Sequence, residues 1–404
     1  MPVRLALLLC LTITQIRAPG QELSVRFATF NLWDVRTDDL VRSDQPRVRA
    51  LAETIQRIRP NIILLNEITY DIPGVPDVPD GGEPGQNAAR FIRNYLSTPQ
   101  AEGLRPIRYK AVMLPVNTGI PSGFDLDNDG RIVTSFPPPA RANPDGTPAR
   151  SSEDGRAYGN DCWGFGEYPG QYGMALLVDE RLKVVHSAIR TFQRFPWNYL
   201  PAPLLPTNED GTPFYSPDEV GLLRLSSKSH WDIPIRFPNG SIVHVLCSHP
   251  TPPAFDGPEQ RNQKRNFDEI RFWRDYISGL SYLVDDEGET GGLLPGSKFV
   301  IMGDLNADAE EGTGVGNPIA DLLLSNRRVQ ITPPPLLDPP VMDGEDLDAT
   351  DTAAFGKRAD YILISRQLEI TRSGVWRHTP TTWPHGFPSD HYPVWAEIRI
   401  PEPP

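Results

Sequence analysis

A chain of 404 residues with 39% hydrophobic content can bury a substantial core, in one large domain or two ordinary ones. Its formal net charge of −13 argues against a broad basic groove that condenses on nucleic-acid phosphates. The same charge leaves room for a carboxylate cluster neutralised by a divalent cation, and 44 Pro with 33 Gly imply long, turn-rich loops.

The chain opens MPVRLALLLCLTITQIRA. Arg4 gives a short positive start, Leu5 to Ile13 is apolar but too short to span a bilayer, and Ala18 precedes Pro19 and Gly20. This pattern predicts a secretion signal over residues 1–18 rather than a first strand or helix, and hence a secreted or periplasmic protein. Cys10 follows Leu9, not a small residue, so it makes a poor lipoprotein site. Removal of the signal would leave Cys162 and Cys247, which read equally as one disulfide or as two buried thiols. The lack of a CxxC pair argues against zinc on thiolates.

Ser24 to Phe30 alternates as a strand, with Val25, Phe27 and Thr29 on one side. Val48, Leu51, Ala52, Ile55 and Ile58 recur at helical spacing over Arg47 to Arg59, and Pro60 stops that helix. NIILLNEI, Asn61 to Ile68, is a continuous apolar run of the kind buried on both faces of a sheet. A Pro/Gly/Asp loop over Asp71 to Gly85 leads to a short helix, Asn87 to Leu96, and then to an irregular stretch from Pro115 to Gly170. Tyr172 to Val178 resumes strand character, with Arg181 to Ile189 expected to pair with it. After a Pro-rich loop, Pro196 to Pro217, come a strand at Ser241 to Cys247 and a helix at Phe267 to Ile277. Phe267, Ile270, Trp273 and Ile277 face inward on that helix. Further strands start near Phe299, Tyr361 and Tyr392; in the last, Tyr392, Val394, Ala396, Ile398 and Ile400 share a face. Strands and helices interleave without a repeat or linker, predicting one α/β layered domain over 19–404 with long loop insertions.

Chemistry gathers at strand ends. FVIMGDLNAD, Phe299 to Asp308, is an apolar strand that stops at Gly303 and presents Asp304 and Asn306, two residues apart and so expected on one face. In chain order the ends carry Asn31 in FATFNLW, Glu67 in LLNEITY, His249 in LCSHPTPP, Asp304 with Asn306, Asp360 in RADYILI, and Asp390 with His391 in PSDHYPV. An Asp after a strand is usually a turn or a cap, and a lone His a satisfied structural residue. Six such clusters in this order are hard to explain as turns alone.

These motifs, spread from Ser24 to Ile400, resemble the endonuclease/exonuclease/phosphatase superfamily, which includes DNase I-like nucleases, sphingomyelinases and inositol-polyphosphate 5-phosphatases. The resemblance implies a DNase I-like four-layer α/β sandwich of two mixed sheets flanked by helices, with the site at one edge. It implies that Asn31, Glu67 and Asp390 hold a divalent ion, with Glu67 the principal ligand. Asp304 would orient or deprotonate the attacking water, and Asn306 would support the phosphate or the nucleophile. His391 would bind the phosphoryl oxygen, oriented by Asp360, and His249 stands where the DNase I and sphingomyelinase branches have a second His. Oxygen ligands suit Mg²⁺, with Mn²⁺ or Ca²⁺ as alternatives.

Trp33 occupies the place where the abasic-site endonuclease branch has an acidic residue, which weakens that branch. Ser226 to Ile235 and His249 to Trp273 look like a bacterial secreted, phosphatase- or phytase-like subgroup. There Lys228, His230, Arg261, Lys264 and Arg265 read either as local positive charge for a phosphorylated substrate or as a solvated loop and helix start. FDLDNDGR places Asp125, Asp127 and Asp129 before Gly130, like the opening of a Ca²⁺ loop, but Phe136 stands where an EF-hand needs its Glu. A turn and a structural Ca²⁺ site fit that spacing equally. The expected activity is metal-dependent hydrolysis of phosphate monoesters or diesters, on a phosphorylated small molecule or phosphodiester. The alternatives are an extracellular nuclease of the same fold and a non-catalytic binding or surface protein.

Overall fold

The computed structural model describes residues 23–403 except 77, 79, 80, 141, 313 and 339–346. The expected signal over 1–18, with Cys10, lies outside the described residues. In chain order the elements are β1 (Leu23–Val35), α1 (Thr37–Val41), α2 (Pro46–Ile58), β2 (Ile62–Ile68), α3 (Asn87–Phe91), β3 (Tyr109–Val112), α4 (Glu153–Asn160), β4 (Met174–Asp179), β5 (Lys183–Val184) and β6 (Arg190–Thr191). They continue with α5 (Pro217–Leu222), β7 (His230–Arg236), β8 (Ile242–Ser248), α6 (Arg261–Ile277), β9 (Lys298–Asp304), β10 (Asp360–Ile364), β11 (Glu369–Val375) and β12 (Val394–Ile400).

One sheet runs β11-β12-β1-β2-β4-β3; the other runs β10-β9-β8-β7-β5, with β6 also on β7. Each sheet is mixed, because β1 with β2 and β8 with β9 are parallel while the other pairs are antiparallel. The period of two sorts the apolar side chains into layers. Val25 and Phe27 of β1, Ile62 and Leu64 of β2, Val243 and Val245 of β8, and Val300 and Met302 of β9 share one core between the sheets. Their alternates face outward: Ala28, Phe30, Ile63 and Leu65 pack under Val48, Leu51 and Ile55 of α2. On the far side Leu246, Phe299 and Ile301 pack under Ile270, Trp273 and Tyr276 of α6. The uninterrupted apolar runs of β2 and β9 follow from this burial on both faces.

Local chemistry sets the helix ends. Pro46 sits in the first turn of α2, where its missing N–H is not needed, and Arg59 ends the helix at φ 52° ahead of Pro60. Ser216 and Glu219 form a reciprocal capping box on α5.

Several expectations are corrected. The Arg181–Ile189 segment does not pair with β4, which β2 and β3 already flank; β5 and β6 cross to the other sheet and pair with β7. The first strand runs on to Val35 rather than ending at Phe30, and the last helix begins at Arg261 rather than Phe267. The irregular 115–170 stretch contains α4, capped by Ser152. Cys162 and Cys247 are both buried free thiols, so of the two open readings the structure takes the second.

Candidate active site

Parallel pairing aligns strand ends. The carboxyl ends of β1 and β2 bring Asn31 and Glu67 to one edge of the first sheet, and those of β8 and β9 bring His249 and Asp304 to the facing edge of the second. Asp360, the first residue of β10, is registered opposite Asp304. Asp390 and His391 lie just before β12, whose Val394 pairs with Thr29 of β1. All seven residues therefore meet at one rim of the sandwich.

The β1–β2 ladder holds to Asn31↔Asn66 and resumes at Val35↔Ile68. In the bulge between, Trp33 and Asp34 take left-handed φ values of 56° and 53°. The bulge aims backbone N–H groups at the site. Trp33 N–H donates to Asn31 Oδ1 at 2.9 Å, which turns Asn31 Nδ2 towards Glu67 Oε1 and Asp304 Oδ2, 3.0 Å from each. Asp34 N–H donates to the other Glu67 oxygen at 3.1 Å. Arg36 and Gln171 in turn hold the Asp34 carboxylate.

Gly303 accounts for the closeness of β8 and β9. Its φ is +151°, and a Cβ there would lie 2.0 Å from Ser248 O, so only glycine lets the two strand ends approach and face His249 with Asp304. His249 Nε2 stands 3.3 Å from Asp304 Oδ2, and His391 Nε2 stands 3.6 Å from the same oxygen. His391 Nδ1 is 2.8 Å from Asp360 Oδ2, which also accepts from Thr352 Oγ1 at 2.8 Å. Ser389 Oγ donates to Asn31 O at 2.7 Å and accepts the His391 N–H at 3.1 Å, tying the C-terminal loop to β1.

Asn306 corrects the strand-face argument. β9 ends at Asp304, so Asn306 lies beyond it at φ 51°, and alternation no longer applies. Its N–H caps Asp304 Oδ1 at 3.0 Å, while its side-chain amide donates to Pro250 O at 3.1 Å. It thereby links the Asp304 and His249 loops.

The electrostatics divide the two histidines. Burial opposes the charge on His391, but Asp360 and Asp304 outweigh it and hold the imidazole well above its usual range as a cation. His249 is pushed down by burial and by the Lys228 ammonium, so it is neutral at physiological pH. Burial would also raise Asp304, yet the charge of His391 and contacts from His249 and Asn31 keep it well below the ordinary carboxylate range. Asp390 is pushed up to about 6 by burial and, against the pull of His391, by Glu67. Asp390 Oδ1 is sealed from solvent with no hydrogen-bond partner. A carboxylate oxygen left bare beside other carboxylates suits a hard cation, so Glu67, Asp390 and the Asn31 carbonyl oxygen could hold a divalent ion. Glu67, at 19% side-chain exposure against 1–5% for Asp304, His249 and His391, is where solvent reaches the site.

Other expected residues serve elsewhere. His230 is no surface cation: its ring packs on Phe272 and Trp273, Nδ1 meets Ser226 Oγ at 2.6 Å, and burial pushes its pKa down to about 4. Arg265 gives its protons to the carbonyls of Leu225, Trp163 and Arg224, and Arg261 reaches Leu126 O. Asp129 turns to Arg131 at 2.6 Å, leaving Asp125, Asp127 and Asp161 with carboxylate oxygens within 4.8 Å of one another. Thr352, Ser389 and Glu269 escaped the sequence reading. Ser389 was detectable as a Ser two residues before His391, but nothing marked the other two.

Two mixed sheets packed between helices, with this site at one rim, define a DNase I-like α/β sandwich. The chain belongs to the Endonuclease/Exonuclease/phosphatase family, whose family model matches residues 28–391. Among solved structures it is similar to an endonuclease/exonuclease/phosphatase from Beutenbergia cavernae DSM 12333, at 16% identity and TM-score 0.50, covering 94% of this chain and 72% of that one. It is also similar to the human Nocturnin catalytic domain with bound sulfate anion, at 13% identity and TM-score 0.46, covering 94% of this chain and 97% of that one. A third is truncated Caenorhabditis elegans TDP2, at 13% identity and TM-score 0.42, covering 93% and 98%. The first likeness speaks to the fold alone. No curated protein sequence matches the chain. Members of this superfamily are hydrolases of phosphoester bonds, which supports an enzyme.

Proposed function

We propose that the protein is a secreted, metal-dependent hydrolase of phosphate monoesters or diesters, acting on small or organic phosphates with Mg²⁺ as the preferred ion. The observation that carries this reading is the meeting of Asn31, Glu67, His249, Asp304 and His391 around one carboxylate oxygen, Asp304 Oδ2. Glu67 and Asp390, with Asn31, would hold the cation, which when bound would neutralise charge on the non-bridging phosphate oxygens. Asp304, ionised and fixed by Asn31 and the Asn306 N–H, orients the attacking water and accepts its proton. His391, kept cationic by Asp360, donates to the phosphoryl oxygen as its charge grows. Secretion is supported by the charged, apolar and small-residue order of 1–18. The net charge of −13 favours small substrates over polynucleotides.

The test is a panel of a chromogenic phosphomonoester, a chromogenic phosphodiester, phytate, plasmid DNA and sphingomyelin, each with Mg²⁺, Ca²⁺ or chelator. Small-substrate turnover that chelator abolishes and Mg²⁺ restores is expected, with Asp304→Asn and His391→Ala losing more than about 90% of it at unchanged melting temperature. Plasmid cleavage alone would replace this reading with a nuclease. Inactivity with every metal would overturn it in favour of a non-catalytic protein.

A further inference from the structure

Lys228 lies in the turn before β7 and is 6% exposed. Its environment is held from three sides. Asn117 N–H donates to Lys228 O at 2.9 Å, Ser227 N–H donates to Glu269 Oε1 at 2.6 Å, and Ser227 Oγ reaches His249 O at 3.5 Å. The other Glu269 oxygen takes Thr251 N–H at 2.6 Å. One buried carboxylate on α6 thus clamps the segment carrying Lys228 to the segment carrying His249.

That clamp commits both Glu269 oxygens to backbone amides. Among the described residues, the Lys228 ammonium makes no hydrogen bond or ion pair. A buried ammonium without a partner is costly and calls for an anion to complete it. Burial lowers its pKa, while Glu269, Glu67 and Asp304 act against that, and the same ammonium depresses His249. These mutual influences put its charge beside the Glu67, Asp304 and His249 side of the site. The neighbouring cation, Arg265, is already spent on three carbonyls.

We infer that Lys228 is a substrate-binding residue whose ammonium takes a non-bridging oxygen of the phosphoryl group at the Asp304 site. This assignment rests on the phosphoester reading of that site. It gives the site a cation supplied by the chain itself, beside the one that His391 carries. It also explains why Glu269 is buried with no cationic partner: its task is to hold the Lys228 and His249 segments in register. The competing explanation makes Lys228 a fixed counter-charge that only offsets Glu67 and Asp304.

The two differ in what happens to phosphate. Full-length wild type, Lys228→Met, Lys228→Gln and Lys228→Arg are compared at saturating Mg²⁺. Inorganic phosphate serves as a competitive inhibitor of a chromogenic phosphodiester and, separately, as a ligand raising the melting temperature. Lys228→Met and Lys228→Gln should raise KM and the phosphate inhibition constant at least about tenfold, with a smaller fall in kcat, and should lose the phosphate-induced melting shift; Lys228→Arg should recover part of both. Wild-type KM and phosphate inhibition in a folded Lys228→Met would overturn the assignment and leave the counter-charge. If the wild type turns over no ester with any metal, the hydrolase reading fails instead, and the melting shift decides Lys228. A wild-type shift lost in both neutral variants supports an anion site there, and no wild-type shift overturns it.

Discussion

Asp360 gives the sharpest test of how the site works, because its only proposed role is exerted through His391. Asp360→Asn is nearly isosteric. An amide oxygen in place of Asp360 Oδ2 can still accept from His391 Nδ1 and Thr352 Oγ1, each at 2.8 Å in the wild type. The amide nitrogen falls at Oδ1, which has no hydrogen-bond partner now, so the fold should survive. What disappears is the negative charge that contributes most to raising His391. An adjacent opposite charge moves a pKa by about 1–3 units, each worth about 1.4 kcal/mol. Asp304 remains 3.6 Å from Nε2, so His391 stays a base, but a weaker one. The assay is kcat/KM for a chromogenic phosphoester as a function of pH at saturating metal. The alkaline limb should move down by about 1–3 units, so the variant loses most activity above neutrality and keeps much of it near pH ~5.5. Stability follows the same sign. A histidine raised in the folded state contributes stability in full below its unfolded pKa of 6.5 and loses it as pH rises through the folded value, so the variant's deficit should be largest in acid. An alkaline limb that stays in place would refute the cationic role of His391.

Two further outcomes test the framework. Gly303→Ala puts a Cβ 2.0 Å from Ser248 O at a φ of +151°, so it should destabilise by about 3 kcal/mol or more or fail to fold; chemical denaturation within about 1 kcal/mol of wild type would contradict the close-approach argument. Glu53 on α2 takes the backbone N–H and hydroxyl of both Thr381 and Thr382 and pairs with Arg57, contacts that outweigh burial and hold its pKa down at about 2. Glu53→Gln should lose about 2–4 kcal/mol above the usual carboxylate pKa of 4.5, and the difference should vanish as pH falls from there through about 2; a pH-independent deficit would show the charge to be irrelevant.

The parts of this fold that sequence revealed are those where one interaction dominates. β2 and β9 announce themselves because burial on both faces leaves only apolar residues, and α2 because one face must meet the sheet. β7 did not, since HWDIPIR buries a His, an Asp and a Pro whose partners are distant in sequence: Asp232 accepts from Tyr276 Oη at 2.7 Å and from His244 Nδ1 at 2.9 Å. β11 sits at a sheet edge with most of its residues partly exposed, and so lacks alternation. The site divides in the same way. Groups at strand ends were legible because the strands were. Glu269, Thr352 and the placement of Asn306 depend on loops whose conformation no local pattern specifies.

Those loops also show where the strain of the site is carried. Trp33, Asp34, Glu67 and Asn306 all hold left-handed φ values between 51° and 59°, a conformation that is unfavourable for Trp and Glu in particular. Each strained residue places a polar group: Trp33 orients the Asn31 amide, Asp34 fixes Glu67, and Asn306 caps Asp304. Such conformations cost of order 1–3 kcal/mol each and persist only where the surroundings over-determine them. Here they follow directly on β1, β2 and β9, whose apolar residues are locked in the core between the sheets and beneath the helices. The division of labour is therefore spatial. Apolar burial along the strands supplies the stability, and the last residues of each strand spend part of it on holding carboxylates and imidazoles closer together than they would sit unaided.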